Sequence, residues 1–197
     1  MAGEMEMVKE LRARTGAGVL DCKKALEECH NDVEKAVDYL REKGLAKAAK
    51  KAGREASQGM VFSYIHTNGK IGTLVELNCE TDFVARTDEF RQLGHEIAMH
   101  IAAANPLYLS PEEVPAGEVE REREIYRKQA EEEGKPPQIQ DKIADGRVKK
   151  FYDESCLLEQ AYIRDTDRKI KDLVVDQIAK MGENIVVRRF SRYSIGQ

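Results

Sequence analysis

The chain has 197 residues, of which 41% are hydrophobic and 35% are charged, and its formal net charge is −4. That length fits one ordinary domain, or a small domain followed by a larger one. No apolar run approaches the roughly 20 residues that a membrane-spanning helix needs, and residues 1–6 lack the features of a signal peptide. Net acidity disfavours general nucleic-acid binding. We therefore expect a cytoplasmic protein with no membrane partner and no specific nucleic-acid partner.

Residues 1–53 predict three short helices, each with apolar residues at helical spacing on one face. The predicted buried faces are Met5, Val8 and Leu11; Val19, Cys22, Leu26 and Cys29; and Val33, Ala36, Val37 and Leu40. Asn31 together with Glu34 is expected to cap the third helix, and Gly44 is expected to end it. Helices of this length form a minimal bundle.

A basic stretch lies at the end of the predicted bundle. It contains Lys43, Lys47, Lys50, Lys51 and Arg54, with no acidic residue between Glu42 and Glu55. One interpretation is a solvated linker, either helical or flexible. The other is a patch that attracts an acidic partner.

Asn68-Gly69 predicts a β-hairpin with a type I′ turn, because alternating runs flank this dipeptide. Four predicted cross-strand pairs share one mostly apolar face: His66 with Ile71, Tyr64 with Thr73, Phe62 with Val75, and Met60 with Leu77. The opposite face is only partly polar. The second strand leads directly into Thr81-Asp82-Phe83-Val84.

Two opposed tendencies meet at this strand-to-helix corner. Thr-Asp is typical of a helix start, whereas phenylalanine usually lies in a core. Phe83 therefore either projects beside a carboxylate toward a partner or packs inside its own chain.

The rest of the chain predicts further helices and a final strand. A helix at 88–104 should bury Phe90, Leu93, Ile97 and Ile101 and end at Asn105-Pro106. A protruding helical hairpin is expected at about 116–154, with a break at 134–137. Residues 156–163 should be extended, Asp167 should cap the next helix, and 185–195 should join the hairpin as a third strand. These elements predict an α+β fold in which a three-stranded antiparallel sheet packs with helices, divided into a bundle at 1–53 and a core at 54–197.

The usual motifs of catalysis and cofactor binding do not occur in the sequence. His95 and His100 are five residues apart, which separates them by about 140° around a helix, so they cannot bind one metal together. Gly16-Ala17-Gly18 precedes a helix instead of following a strand, unlike a dinucleotide-binding loop. Cys22, Cys29, Cys79 and Cys156 form no CxxC pair and are expected to be buried, reduced thiols. We therefore expect no catalytic, cofactor, metal or direct nucleotide site, and a protein that acts on another protein.

Two segments resemble the family of bacterial translation elongation factor Ts. One is Leu11-Arg12-Ala13-Arg14-Thr15-Gly16-Ala17-Gly18-Val19-Leu20-Asp21-Cys22-Lys23-Lys24-Ala25-Leu26. The other is Glu76-Leu77-Asn78-Cys79-Glu80-Thr81-Asp82-Phe83-Val84-Ala85-Arg86. Both are ungapped and in the family's order, and residues 47–53, 95–105 and 182–190 extend the resemblance over nearly the whole chain.

The resemblance implies a guanine-nucleotide exchange factor that binds the GDP-bound and nucleotide-free forms of elongation factor Tu. It also implies that the N-terminal bundle is a ubiquitin-associated-type domain that contacts the partner's nucleotide-binding domain. The matching positions of this contact are Arg12, Val19, Leu20 and Lys23, with Lys51 as a weaker candidate. One of Val19 and Leu20 is expected to pack into the bundle instead.

The same resemblance assigns Thr81, Asp82, Phe83 and Val84 to displacement of Mg²⁺ from the partner. Phe83 would insert between partner side chains, and Asp82 would disturb the contacts around the phosphates.

Some members of the family carry a duplicated core, whereas this chain has one copy and one Thr-Asp-Phe-Val motif. We therefore expect a homodimer that binds two partner molecules. It would pair through a hairpin edge or the terminal strand, using Ile185, Val187, Phe190 and Tyr193.

Two other functions remain open from the residues. One is a ubiquitin-associated-like adaptor without exchange activity. The other is an RNA-binding translation protein that uses residues 43–54 with Arg188, Arg189 and Arg192. The acidic net charge disfavours RNA binding.

Overall fold

The computed structural model describes residues 2–196, and these contain eight α-helices and five β-strands. The helices are α1 (Ala2–Thr15), α2 (Val19–Glu28), α3 (Val33–Ala49), α4 (Asp82–Ala85), α5 (Asp88–Ala104), α6 (Ala116–Glu132), α7 (Pro137–Ser155) and α8 (Ile170–Met181). The strands are β1 (Gln58–Ile65), β2 (Ile71–Cys79), β3 (Ala161–Tyr162), β4 (Asp165–Lys169) and β5 (Ile185–Ser194).

The main sheet is antiparallel, with strand order β1-β2-β5. The predicted α+β class and the third strand are therefore confirmed. β5 pairs with β2, so β1 and β5 are the edges of this sheet. None of the helices in residues 2–196 is long and apolar enough to cross a membrane.

The described chain divides into two compact units. One comprises residues 2–60, 77–93 and 173–186, and the other comprises 61–76, 94–172 and 187–196. The boundary after residue 53, which separates the predicted bundle from the predicted core, stays a prediction.

Three helices form at the N-terminus, as predicted. Their packed cluster consists of Val8, Leu11, Cys22, Ala25, Leu26 and Ala36. Two predicted members of the buried faces, Met5 and Val19, are exposed instead. Both lie in the first turns of their helices, outside this cluster.

The predicted start and end of α3 are both wrong. Asp32 caps the helix by accepting a hydrogen bond from the Lys35 amide at 3.1 Å, whereas Asn31 has φ 63° and lies in the preceding turn. Gly44 does not end the helix. It is buried against Ala179 of α8, where a Cβ at position 44 would lie 3.6 Å from the Ala179 Cβ. The strong helix formers that follow carry α3 on to Ala49.

The hairpin forms with the predicted His66–Ile71 pair, since the His66 amide donates to the Ile71 carbonyl at 2.9 Å. The predicted turn type is wrong, because a type I′ turn needs positive φ at both central residues and only Gly69 has it, at 66°. The Gly69 amide donates to the His66 carbonyl at 2.7 Å, and Asn68 Oδ1 accepts from the Lys70 amide at 2.9 Å. The Asn68 side chain thus stabilises a different turn.

Helix α5 buries the four predicted residues, Phe90, Leu93, Ile97 and Ile101. Helices α6 and α7 form the predicted helical hairpin. Ion pairs join these two helices, with Arg123 2.7 Å from Asp145 and Arg147 2.7 Å from Glu133.

The sequence did not predict the small sheet of β3 and β4, in which Ala161 pairs with Lys169 and Tyr162 pairs with Asp165. Asp167 lies inside β4, so it does not cap α8 as predicted. The sequence did not predict this strand because β4 is polar throughout and shows no alternation of apolar residues.

His100 is fully buried in α5 and is held by Gln160. Gln160 donates its amide N–H to the Glu154 carbonyl at 2.7 Å, so its Oε1 accepts from His100 Nε2 at 2.9 Å. Nδ1 has no hydrogen-bond partner among the described residues. Burial lowers the pKa of His100 below its ordinary value of 6.5, against the smaller opposing effect of the Gln160 hydrogen bond.

Acid should therefore destabilise the protein through His100. Between the depressed folded pKa and the ordinary value of 6.5, the unfolded chain binds a proton that the folded chain excludes, so stability falls as the pH falls through this window. We expect the free energy of unfolding, measured with urea, to fall less between about pH 7.5 and about pH 5.5 in His100→Gln than in the wild type. The exposed His66 supplies the control, and an equal pH dependence in His100→Gln and His66→Gln would contradict this account.

Candidate functional site

Residues Thr81, Asp82, Phe83 and Val84, here called the 81–84 corner, form a single helical turn directly after β2. Thr81 has extended backbone angles (φ −127°, ψ 156°) and is the N-cap of α4, with its hydroxyl accepting from the Val84 amide at 3.4 Å. The helix therefore starts where the sequence predicted. Ala85 is the buried residue of this turn.

Phe83 projects from the corner with 81% of its surface exposed. Phe90, seven residues later, is 0% exposed, so a core position was available to a phenylalanine in this region. The alternative that Phe83 packs inside its own chain is therefore wrong. An exposed ring of this size is an apolar contact that a partner can bury.

Asp82 lies beside this ring and pairs with Arg86, with 2.8 Å between the Asp82 Oδ2 and Arg86 Nη2 atoms. The pair is one helical turn apart and exposed, so it contributes little to stability. The carboxylate lies on the Arg86 side of the turn.

Glu183, which sequence reasoning did not select, holds the start of this turn. Its Oε2 accepts hydrogen bonds from the Glu80 and Thr81 amides at 3.1 and 3.0 Å, and its Oε1 accepts from the Thr81 hydroxyl at 2.6 Å. Glu80 reciprocates by accepting from the Asn184 amide at 2.6 Å. No local sequence pattern connects residue 183 to residue 81.

Cys79, at the end of β2, also contacts the corner. Its thiol donates to the Thr81 carbonyl at 3.1 Å. Burial, followed by the nearby charge of Glu183, raises the pKa of Cys79 to about 11. The thiol therefore stays protonated at neutral pH and remains a hydrogen-bond donor.

The residues predicted for docking on α1 and α2 lie at the surface. Leu20 is 82% exposed and Val19 is 47% exposed, so the expectation that one of them packs into the bundle is wrong. Arg12 and Lys23 are exposed. Val19 and Lys23 are four residues apart and therefore share a face of α2.

The cations of the basic stretch mostly have partners within the chain. Lys47 lies 3.1 Å from Asp21, the Lys43 ammonium lies 4.5 Å from the centre of the Tyr39 ring, and Arg54 lies 3.6 Å from Glu80. Lys51 donates to the Gly182 carbonyl. This arrangement favours the linker interpretation over an acid-attracting patch.

A second exposed surface lies on the main sheet, opposite the buried Phe62, Thr73 and Val75. We call it the apolar sheet face, and it consists of Val61, Ile65, Leu74, Tyr193 and Ile195, all exposed. Val61 and Ile65 lie on β1, Leu74 lies on β2, and Tyr193 lies at the end of β5, with Ile195 just beyond it.

The elongation factor TS family model matches residues 6–177, which include most of the bundle and the whole corner. An elongation factor Ts of Syntrophomonas wolfei is 62% identical over 192 residues, covering 98% of this chain and 90% of the relative. One from Herpetosiphon aurantiacus is 58% identical over 196 residues, covering 100% of this chain and 99% of the relative. This chain belongs to the elongation factor Ts family. The match to the family model ends before Glu183, and the role of that residue at the corner is seen in its contacts.

Exposure of Phe83 predicts that truncating this ring leaves stability unchanged. We expect Phe83→Ala to shift the free energy of unfolding by less than about 0.5 kcal/mol. Phe90→Ala is the matched core variant and should lose about 3–5 kcal/mol. Denaturant unfolding measures both. A loss above about 1 kcal/mol in Phe83→Ala would show that the ring packs against its own chain.

Proposed function

We propose that this protein is a guanine-nucleotide exchange factor for elongation factor Tu, which acts in the cytosol and has no catalytic chemistry of its own. Family membership supports the choice of partner and activity. The observation that carries the proposal is that Phe83 is exposed beside Asp82, on a corner whose start is held by hydrogen bonds to Glu183.

The mechanism follows from how a GTPase holds GDP. Backbone amides bind the phosphates, and Mg²⁺ bridges phosphate oxygens and neutralises their charge. Insertion of Phe83 between partner side chains moves the elements that position Mg²⁺, and Asp82 disturbs the contacts around the phosphates. Loss of Mg²⁺ leaves the phosphates under-neutralised, so GDP dissociates faster.

The coupling between the two ligands is reciprocal. Whatever lowers the affinity of nucleotide in the ternary complex lowers the affinity of the factor by the same ratio. GTP that enters the emptied site therefore expels the factor, and the cycle ends with GTP-bound partner.

The ring cannot supply the whole effect. Burying one phenylalanine contributes about 1.5–3 kcal/mol, whereas a thousandfold loss of nucleotide affinity needs about 4 kcal/mol. The remainder must come from other contacts of the core with the partner. The exposed Arg12, Leu20 and Lys23, with Val19 beside them, supply the binding that holds the factor on the partner. Lys51 is the weaker candidate because its ammonium already binds Gly182.

Release of a fluorescent GDP from elongation factor Tu tests this function. We expect the wild-type chain to accelerate release, and Phe83→Ala to lower the maximal rate about ten- to a hundredfold, because 1.5–3 kcal/mol of ring burial is lost. Binding of Phe83→Ala to the partner should remain measurable. Release at wild-type speed with Phe83→Ala would refute insertion of the ring.

The double variant Arg12→Ala with Lys23→Ala is the contrasting case in the same assay. Its maximal rate should be retained while the concentration for half-maximal release rises, most strongly at low salt. An unchanged half-maximal concentration at low salt would remove these two residues from the docking surface.

We also propose that the protein is a homodimer that binds two partner molecules, with the apolar sheet face of one copy against that of a second. Ile65, Leu74, Tyr193 and Ile195 of this face line one surface pocket and are all exposed, and exposed apolar surface of this kind is what interfaces bury. A twofold axis places this patch against itself. Ile185 and Val187, which the sequence predicted for this contact, are buried within the chain and cannot contribute to it.

Charge in the centre of this face should separate the copies. Light scattering at about 50 μM should give twice the 22.3 kDa chain mass for the wild type and one chain mass for Leu74→Glu. Ile125→Glu places the same charge on an exposed isoleucine of α6 and should stay dimeric. A wild-type protein that is monomeric at this concentration would rule out the dimer.

A further inference from the structure

The loop at residues 182–184, which connects α8 to β5, lies against the start of the 81–84 corner. We propose that Glu183 of this loop is a positioning residue that sets the direction in which Phe83 and Asp82 leave the surface, an inference that rests on the proposed exchange function. Glu183 touches neither nucleotide nor partner in this account. It acts through Thr81.

The turn that carries Phe83 is too short to hold its own shape. Helix α4 has four residues. The backbone hydrogen bonds from Ala85 to Thr81 and from Arg86 to Phe83 are long at 3.3 Å, and the one from Thr87 to Val84 is 3.0 Å. A single isolated turn is unfavourable, since nucleation fixes several residues for one hydrogen bond. The geometry of the turn must therefore be fixed from outside it.

Glu183 supplies that constraint with a charged acceptor. Its carboxylate takes two successive backbone N–H groups, those of Glu80 and Thr81, together with the Thr81 hydroxyl. Hydrogen bonds to an ionised acceptor are about twice as strong as those between neutral groups. Without the carboxylate, the backbone donors of two half-buried residues would lose their partner.

The Thr81 hydroxyl links this contact to the turn itself. It donates to Glu183 Oε1 at 2.6 Å and accepts from the Val84 amide at 3.4 Å. The bond to Glu183 therefore selects the Thr81 rotamer that caps the turn. Phe83 lies between the two ends of this capped turn.

The loop that presents Glu183 is fixed on both sides. Gly182 has φ 79°, a left-handed conformation that favours glycine, and its carbonyl accepts from Lys51. Asn184 donates its backbone amide to Glu80 at 2.6 Å and its side-chain amide to the Arg54 carbonyl at 2.8 Å. The corner and the basic stretch at the end of the bundle are thus bonded to one loop.

The kinetic test uses the full chain in the GDP-release assay with elongation factor Tu. Glu183→Ala should lower the maximal release rate about tenfold, the effect of losing one charged hydrogen bond. The concentration for half-maximal release should change less than about twofold, because the docking residues are untouched. Glu183→Gln keeps one acceptor oxygen and should lower the maximal release rate about threefold. This variant supplies the test if Glu183→Ala does not fold.

Glu89→Ala is the matched control. It removes a carboxylate that pairs with Lys180 at 3.9 Å, away from the corner, and it should retain the wild-type maximal rate. A maximal rate unchanged in Glu183→Ala, or a defect confined to the half-maximal concentration, would overturn the positioning role. So would a control variant as slow as Glu183→Ala.

Hydrogen–deuterium exchange of the free protein supplies a measurement that needs no partner. Backbone amides in residues 79–86 should lose protection in Glu183→Ala and keep it in Glu89→Ala. If the wild-type chain failed to accelerate GDP release, the exchange function would be refuted while this measurement still tested the constraint on the corner. Unchanged protection in Glu183→Ala would overturn the constraint itself.

A double-variant cycle tests whether Glu183 acts through Thr81. Thr81→Val removes the same hydrogen bond from its other end, so its combination with Glu183→Ala should slow release by less than the product of the two single effects. A combined effect equal to that product would show that the two residues act independently, which contradicts the proposal.

Discussion

The reciprocal hydrogen bonds between residues 80–81 and 183–184 are the constraint on which the exposed surface at Phe83 depends. A strand that leaves its sheet has backbone N–H groups that no neighbouring strand can pair, and Glu80 and Thr81, which carry such groups, are half-buried residues. Glu183 accepts from both, while Glu80 accepts from Asn184. Each carboxylate thus satisfies the backbone of the other segment, so the exit of β2 and the entry to β5 are fixed together.

The sequence predicted the helices well because their determining feature is local. Apolar residues at a spacing of three and four define a buried stripe, and Phe90, Leu93, Ile97 and Ile101 are all buried accordingly. Helix ends depend on competition between neighbouring residues, and there the prediction was wrong. Asp32 caps α3 in place of Asn31. Gly44 packs against Ala179 and lies inside the helix instead of ending it. Strand β4 has no apolar alternation at all, so only its tertiary pairing with β3 defines it.

The candidate site was predictable only in part, for a related reason. Residue types and the resemblance selected Phe83 and Asp82, but a phenylalanine after a strand is more often core than surface, and the sequence alone could not exclude that alternative. The 81% exposure of the ring excludes it. Glu183 lies about a hundred residues further along the chain and occurs in a segment rich in other charges. Its part in the corner exists only in three dimensions.

The magnitudes explain why an inserting ring needs such a fixed corner. Ordering four flexible residues costs about 1–2 kcal/mol each, or about 4–8 kcal/mol in total. Burying one phenylalanine returns only about 1.5–3 kcal/mol. On a mobile loop the ring would therefore gain nothing by inserting, since the ordering cost exceeds the burial. When hydrogen bonds to Glu183 have already fixed the turn during folding, that cost is absent at the moment of binding. The free energy of ring burial then remains available to act on the partner.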